Sequence, residues 1–355
     1  MSLRALPYAA FDAVASKDSG ANYVATGSAL RCCRCSSVER FGSKCWKKNI
    51  RIRTKSKMRI SLISLLVLMC SCSTIPKGEV PMEIPFSYVE QNFILVPVKI
   101  NDSIAGKFVL DTGIGVNLIS KSLCERLKCV GKSSHTGKRM SGQELTIPIS
   151  EVESLSFGSI RLTKVPVGVF DMEQLMPGAG VDGFLSIGFF KENAFTVDYK
   201  QNVITLETDS SLKRIELAGA AIPIKMDRKG VSSSIHLPLV LPNGTQISFQ
   251  VDTGSQALIL DERYMAALGI KGTDKDVRNK EGKDETGHVF NRFFTTLKGG
   301  VHLPEHPEKK VDPINVMFQK IIHEGLVGHF FLREFDVTYD LKNSRMIFRK
   351  PAKSL

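Results

Sequence analysis

Phe108-Val109-Leu110-Asp111-Thr112-Gly113 and Phe249-Gln250-Val251-Asp252-Thr253-Gly254 are two copies of one phrase, 141 residues apart. Each runs an apolar strand into Asp-Thr-Gly. Each then leaves through a second apolar stretch, residues 116–119 or 257–260, into a predicted helix starting at Ser120 or Asp261, residue types that cap helices well. The correspondence continues downstream: Asp182-Gly183-Phe184-Leu185-Ser186 matches Glu324-Gly325-Leu326-Val327-Gly328, and Phe189-Phe190 matches Phe330-Phe331. Phe195 to Tyr199 matches Phe335 to Tyr339 at an offset of 140. A lone Asp-Thr-Gly is a common tripeptide whose ordinary explanation is a β-turn with glycine at a positive-φ position. Two of them in equivalent contexts, with the same landmarks following in the same order, describe two copies of one module.

The rest of the pattern is strand-rich. Residues 92–100 are apolar and β-branched and end at the turn signal Asn101-Asp102; 106–110, 145–149, 160–169 and 194–206 read similarly. Ser120 caps a predicted helix with Leu123 and Leu127 on one face. The expected architecture is therefore mainly β. It is a two-lobed β-barrel arrangement from a tandem repeat, lobes at 85–210 and 211–355, with a short helix after each Asp-Thr-Gly loop.

The duplication has a chemical purpose. Two carboxyl groups roughly 3 Å apart cannot both ionise readily, so one keeps its proton while the other is a carboxylate. Such a pair can deprotonate a water and protonate a carbonyl oxygen with neither metal nor covalent nucleophile. Asp111 and Asp252 are the candidate pair. Gly113 and Gly254 let the two loops approach without a Cβ between them, and the Thr112 and Thr253 hydroxyls can bond the backbone of the opposite loop.

On these residues the chain resembles aspartic (pepsin/retropepsin-like) proteases, specifically the bacterial two-copy retropepsin-like proteins, over roughly residues 87–350. The resemblance implies an endopeptidase with Asp111 and Asp252 as catalytic dyad and Thr112, Gly113, Thr253, Gly254 and Ser255 supporting it. It also implies a long cleft for an extended polypeptide, covered by a flap near Thr136 to Gln143. Ile114 stands where the family has Ser or Ala, as Ser255 does in the second copy, and Ser186 replaces a family glycine. Ile114 cannot donate a hydrogen bond to a carboxylate, which makes Asp111 the expected holder of the proton. The same two departures motivate the rival reading, a catalytically impaired protein that binds extended peptides.

Charge sits at the front. The 355 residues carry a formal net charge of +12, but residues 1–57 hold 12 Lys/Arg against 3 Asp/Glu, leaving only +3 on the rest. A nucleic-acid partner is therefore not expected of the repeat region. Residues 1–57 also hold Cys32, Cys33, Cys35 and Cys45. No further ligand at metal spacing follows them, so an upstream extension is preferred to a metal knuckle. Met58-Arg59 then opens an apolar run that ends at Ser71-Cys72, similar to the lipobox of bacterial lipoproteins. That similarity implies a signal peptide over 58–71, lipid attachment at Cys72, a tether over 72–84, and an envelope location facing the periplasm or the cell surface.

The remaining candidates are weaker. The seven histidines lack metal-ligand spacing, and His302 and His306 bracket Pro304, which suits a solvated loop. Cys124 and Cys129 fall on different sides of the predicted helix, so they read as buried thiols; a disulfide would need the helix to break. Residues 271–283 read as a charged solvated loop. No phosphate-cradling glycine motif occurs, so no cofactor is expected. One chain supplies both halves of the dyad, so a monomer is expected.

Overall fold

The computed structural model describes residues 80–90, 92–283 and 288–351; Cys72, the signal-peptide segment and the upstream extension lie outside them. The described protein is mainly β, as expected, with helices reduced to short pieces.

Three sheets organise it. An eight-stranded sheet takes all its strands from the first half, in the order Ser87–Val89, Phe93–Ile100, Ile104–Asp111, Gly183–Ser186, Leu118–Ser120, Ile160–Phe170, Glu144–Phe157, Ser133–Lys138. Phe93–Ile100 also pairs with Glu144–Phe157, which curls the sheet towards a barrel. A ten-stranded sheet takes its strands from the second half. The third sheet is shared. Its order is Met82–Pro85, Val203–Leu206, Phe195–Asp198, Asp336–Asp340, Arg345–Arg349, Ala220–Pro223, three strands from each half.

The pattern along each strand explains its placement. In Phe93–Ile100, Val96, Val98 and Ile100 are buried while Pro97 and Lys99 are exposed, the period-two alternation of a sheet with one face on a core. The central seam of the shared sheet is antiparallel, with Val197 directly opposite Val337. These are equivalent positions in the sequence repeat, so the two halves meet there about a local two-fold relation. Phe195 stacks on Tyr339 with centroids 4.6 Å apart, and the Thr196 and Thr338 hydroxyls lie 2.7 Å apart.

The same unusual connectivity occurs in both halves. Ile104–Asp111 runs parallel to Gly183–Ser186, which is inserted between it and the returning strand Leu118–Ser120. Likewise Gln246–Val251 runs parallel to Gly325–Val327, inserted before Leu258–Asp261. Each Asp-Thr-Gly loop therefore joins two strands that are separated by a third, and its position is fixed from both sides by that third strand.

Several local expectations change. Cys124 and Cys129 are disulfide-bonded, with Cα atoms 5.2 Å apart, rather than free thiols. The helix Lys121–Leu127, capped by the Ser120 side chain at Leu123 N, does break before Cys129. Lys128 adopts a left-handed conformation (φ 52°) and Cys129 N–H folds back onto the Cys124 carbonyl at 3.0 Å, which carries the second sulfur to the first. In the second copy, Asp261 ends a strand rather than opening a helix; its carboxylate accepts from Arg263 N, and only the single turn Tyr264–Ala267 follows. The charged stretch read as a loop contains the exposed strand Arg278–Lys283, paired with Val289–Leu297. His302 and His306 likewise sit on paired strands, Val301–Leu303 and His306–Val311, rather than in a loop. The lobe boundary at 210/211 falls inside the helix Asp209–Ala218.

Candidate active site

Asp111 is the last residue of its strand, opposite Ser186 in parallel register. Asp252 follows its strand directly, and its N–H bonds the Val327 carbonyl at 2.9 Å. Both aspartates lie on loops that turn away from their sheets towards each other.

Four hydrogen bonds lock the loops together. Thr112 N–H donates to Thr253 Oγ1 at 3.1 Å, and Thr253 N–H donates to Thr112 Oγ1 at 3.0 Å. The hydroxyls then donate across the interface, Thr112 Oγ1 to the Val251 carbonyl at 2.9 Å and Thr253 Oγ1 to the Leu110 carbonyl at 2.8 Å. The set is reciprocal, and every member is buried. Neither loop can shift without breaking bonds that belong to both.

The glycines show how close the approach is. A Cβ built on Gly113 would lie 2.5 Å from Asp252 Cγ, and one built on Gly254 would lie 2.5 Å from Asp111 Cγ. No real side chain fits in that space, so each carboxyl group rests against the glycine of the other loop. Asp111 also accepts from its own loop, Gly113 N–H to Oδ1 at 2.9 Å. Both aspartates are essentially without solvent contact, Asp111 at 0% and Asp252 at 2% exposure.

The departures in the first copy have local explanations. Ile114 is buried and fills an apolar cluster with Val116, Leu118 and Phe184. Ser186 is held by Asn117, whose Oδ1 accepts from both its N–H at 2.9 Å and its Oγ at 3.1 Å. Ser255 lies in the second loop, its N–H bonding the Asp252 carbonyl at 2.9 Å.

Residues not anticipated from sequence complete the site. Gln250, two before Asp252, is buried and donates from Nε2 to the Gly113 carbonyl at 3.2 Å. Ser233 N–H reaches the Gly115 carbonyl at 2.9 Å. His329 N–H bonds the Ser255 carbonyl at 2.7 Å, and its ring packs against Tyr88 and Tyr199; burial holds its pKa down at about 4. The one visible signal was Gln250, a polar residue between the apolar Phe249 and Val251 at the end of its strand.

The predicted flap is a hairpin of Ser133–Lys138 and Glu144–Phe157. Its tip is closed by Arg139 N–H to the Gln143 carbonyl at 2.8 Å, and Met140 of the tip accepts at 2.9 Å from Ile322 N–H of the second half. Among the described residues no cluster of His, Cys, Asp and Glu could hold a metal ion, and no helix is long and apolar enough to cross a membrane.

Residues 96–189 match the family model described as Aspartyl protease. That stretch includes Asp111, its loop, the hairpin and the inserted strand, and the similarity supports a protease-type function. No curated protein matches the chain.

Proposed function

We propose that the protein is an aspartic endopeptidase in which Asp111 and Asp252 share one proton over a water molecule. The observation that carries this reading is the reciprocal contact of each carboxyl group with the other loop's glycine, held by the four threonine bonds. One aspartate, as carboxylate, takes a proton from the water while its oxygen attacks the peptide carbonyl carbon. The other gives its proton to the carbonyl oxygen, forming a neutral tetrahedral diol. Collapse of the diol breaks the C–N bond, with one proton passing to the leaving nitrogen and the dyad returning to its shared-proton state. Ile114 carries no hydroxyl, so Asp111 is the better placed of the two to start as the acid.

The substrate is an extended polypeptide lying between the halves and beneath the hairpin 133–157. The two loops come from one chain, so the working unit is a monomer formed by tandem repetition. The Ser71-Cys72 sequence supports attachment to a membrane through a lipid on Cys72, with the enzyme acting in the cell envelope. Incubation with a random peptide library over pH 3–8 tests the activity. Internal cleavage that disappears in Asp252→Asn is expected; no cleavage at any pH refutes the reading in favour of a peptide-binding protein, and full cleavage by that variant refutes the Asp111/Asp252 mechanism.

A further inference from the structure

Building on the assignment of Asp111 and Asp252 as the reacting pair, we infer that His236, Gln250 and His323 form a polar subsite on the second-half side of that pair. It takes an uncharged hydrogen-bonding side chain of the substrate, an amide or a hydroxyl, on one side of the scissile bond only.

The two halves differ at equivalent positions. In the first, Leu95 and Val109 oppose each other across antiparallel strands, and Val181 stands two residues before Gly183. Val109 and Val181 are buried in one apolar cluster with Ile114, and Leu95 packs against it. Met172 and Leu175 of the helix Met172–Leu175 belong to the same cluster and help to close it. In the second half these positions are polar. His236 and Gln250 oppose each other in the same register, His323 stands two residues before Gly325, and Ser255 stands in place of Ile114. Only the five residues 320–324 join Ile314–Gln319 to Gly325–Val327, against the twelve residues 171–182 of the first half, and those five form no helix.

Contacts place the polar set beside the reacting pair. Directly opposed residues of an antiparallel pair share a face of the sheet, so the His236 ring stands on the same face as the Gln250 amide. That amide reaches the first catalytic loop, its Nε2 donating to the Gly113 carbonyl at 3.2 Å. The His236 and His323 rings are neighbours, with centroids 6.0 Å apart. His323 directly follows Ile322, whose N–H holds the Met140 carbonyl of the hairpin tip at 2.9 Å. The set therefore runs from the catalytic loop to the hairpin, the space assigned above to the substrate.

The chemistry of these groups decides what fits. Gln250 is 1% exposed, and because its Nε2 faces a carbonyl its Oε1 is left as an acceptor. That Oε1 and His323 Nε2 are both buried, with no hydrogen-bond partner among the described residues. Buried polar atoms call for partners, and a substrate side chain supplies them. Charge is already balanced nearby: Asp227 lies 3.4 Å from His236 Nε2 and 3.3 Å from Lys225 Nζ. Burial lowers the His323 pKa to about 4, so its ring is neutral above that pH and its Nε2 donates or accepts according to tautomer. An amide or hydroxyl both donates and accepts, and so can satisfy the two atoms together. A charged side chain would bring an uncompensated charge, and an alkyl chain would leave both atoms unpaired.

A random peptide library tests this on the full chain in two arms: cleavage by the wild type, and retention by the immobilised Asp252→Asn variant. At one of the two residues flanking the cut, Asn, Gln, Ser and Thr should be preferred at least ten-fold over Leu and Val; at the other, apolar residues should be preferred. His323→Val, which installs the first-half residue, should reduce the polar preference roughly ten-fold or more and leave the apolar one unchanged. Like preferences on both flanks, or a charged residue preferred on either, overturn the proposal even if His323→Val fails to fold. An active His323→Val protein with the wild-type profile also overturns it. Cleavage without the asymmetry thus removes the subsite and leaves the endopeptidase reading standing. If nothing is cleaved, but retained peptides are enriched in amide and hydroxyl residues and His323→Val abolishes that enrichment, the subsite stands and the endopeptidase reading falls. With neither cleavage nor such enrichment, both fall.

Discussion

Replacing Thr253 by valine removes one hydroxyl and almost no volume, so it isolates the hydrogen bonds of the interlock from its packing. Two contacts disappear: the acceptor for Thr112 N–H at 3.1 Å and the donor to the Leu110 carbonyl at 2.8 Å. Both partners are buried, Thr112 and Leu110 each at 0% exposure. An orphaned buried N–H costs about 1–3 kcal/mol and a lost neutral bond about 0.5–1.5 kcal/mol, so the variant should be destabilised by about 2–4 kcal/mol. Urea unfolding should show this as a lower midpoint with an unchanged slope. Thr253→Ser, which keeps the hydroxyl, should recover most of it, and Thr112→Val should cost a similar amount because its two bonds are the mirror set. Peptide cleavage should fall by about 100-fold or more, since displacement of a reacting group by about 1 Å is that costly. A Thr253→Val protein within about 0.5 kcal/mol of wild type, with normal cleavage, would refute the claim that these bonds position the loops.

Three other outcomes follow from the same geometry. Gly254→Ala places a methyl group on the Asp111 carboxyl, so it should cost about 1–3 kcal/mol and abolish cleavage, whereas Gly131→Ala, with open space at its Cβ and no left-handed backbone, should leave cleavage intact; assays of folding and hydrolysis on both check this. His329, held at about pKa 4 by burial, takes up its proton more readily in the unfolded chain. Acidification through pH 6.5 towards 4 therefore weakens the fold, by up to about 1.4 kcal/mol per pH unit, and His329→Leu should recover about 2 kcal/mol of the loss between pH 6.5 and 5 in denaturation curves. Reducing the Cys124–Cys129 disulfide, or replacing both cysteines by serine, should lower stability by about 2 kcal/mol, the entropy of a short loop, as read from thermal unfolding with and without reductant.

What could be read from sequence was whatever repeats or alternates. Asp111 and Asp252, their threonines and glycines, the Ser120 cap and the inserted strands at Gly183 and Gly325 all lie in local patterns that occur twice. The disulfide could not be read because it depends on a single left-handed residue, Lys128, whose side chain gives no such warning. The shared sheet was hidden because strand pairing across a long separation, such as Met82–Pro85 with Val203–Leu206, leaves no periodic trace in either strand. The hairpin near Thr136 to Gln143 was legible as a flap, but not its anchorage, because the bond from Ile322 N–H to the Met140 carbonyl joins residues 182 positions apart. The shortened second helix has a local cause, since the Asp261 carboxylate accepts from both Arg263 N–H and Ile321 N–H and so serves the loop rather than a helix.

Hydrolysis by a water activated jointly by Asp111 and Asp252 is examined directly with isotope-labelled water. Cleavage of a peptide in H₂¹⁸O should place one ¹⁸O atom in the new C-terminal carboxyl group in a single turnover, with no covalent peptide–protein species detectable by mass spectrometry. The signal should be absent in both Asp111→Asn and Asp252→Asn. A trapped acyl-protein, or undiminished labelling after loss of either carboxylate, would contradict it.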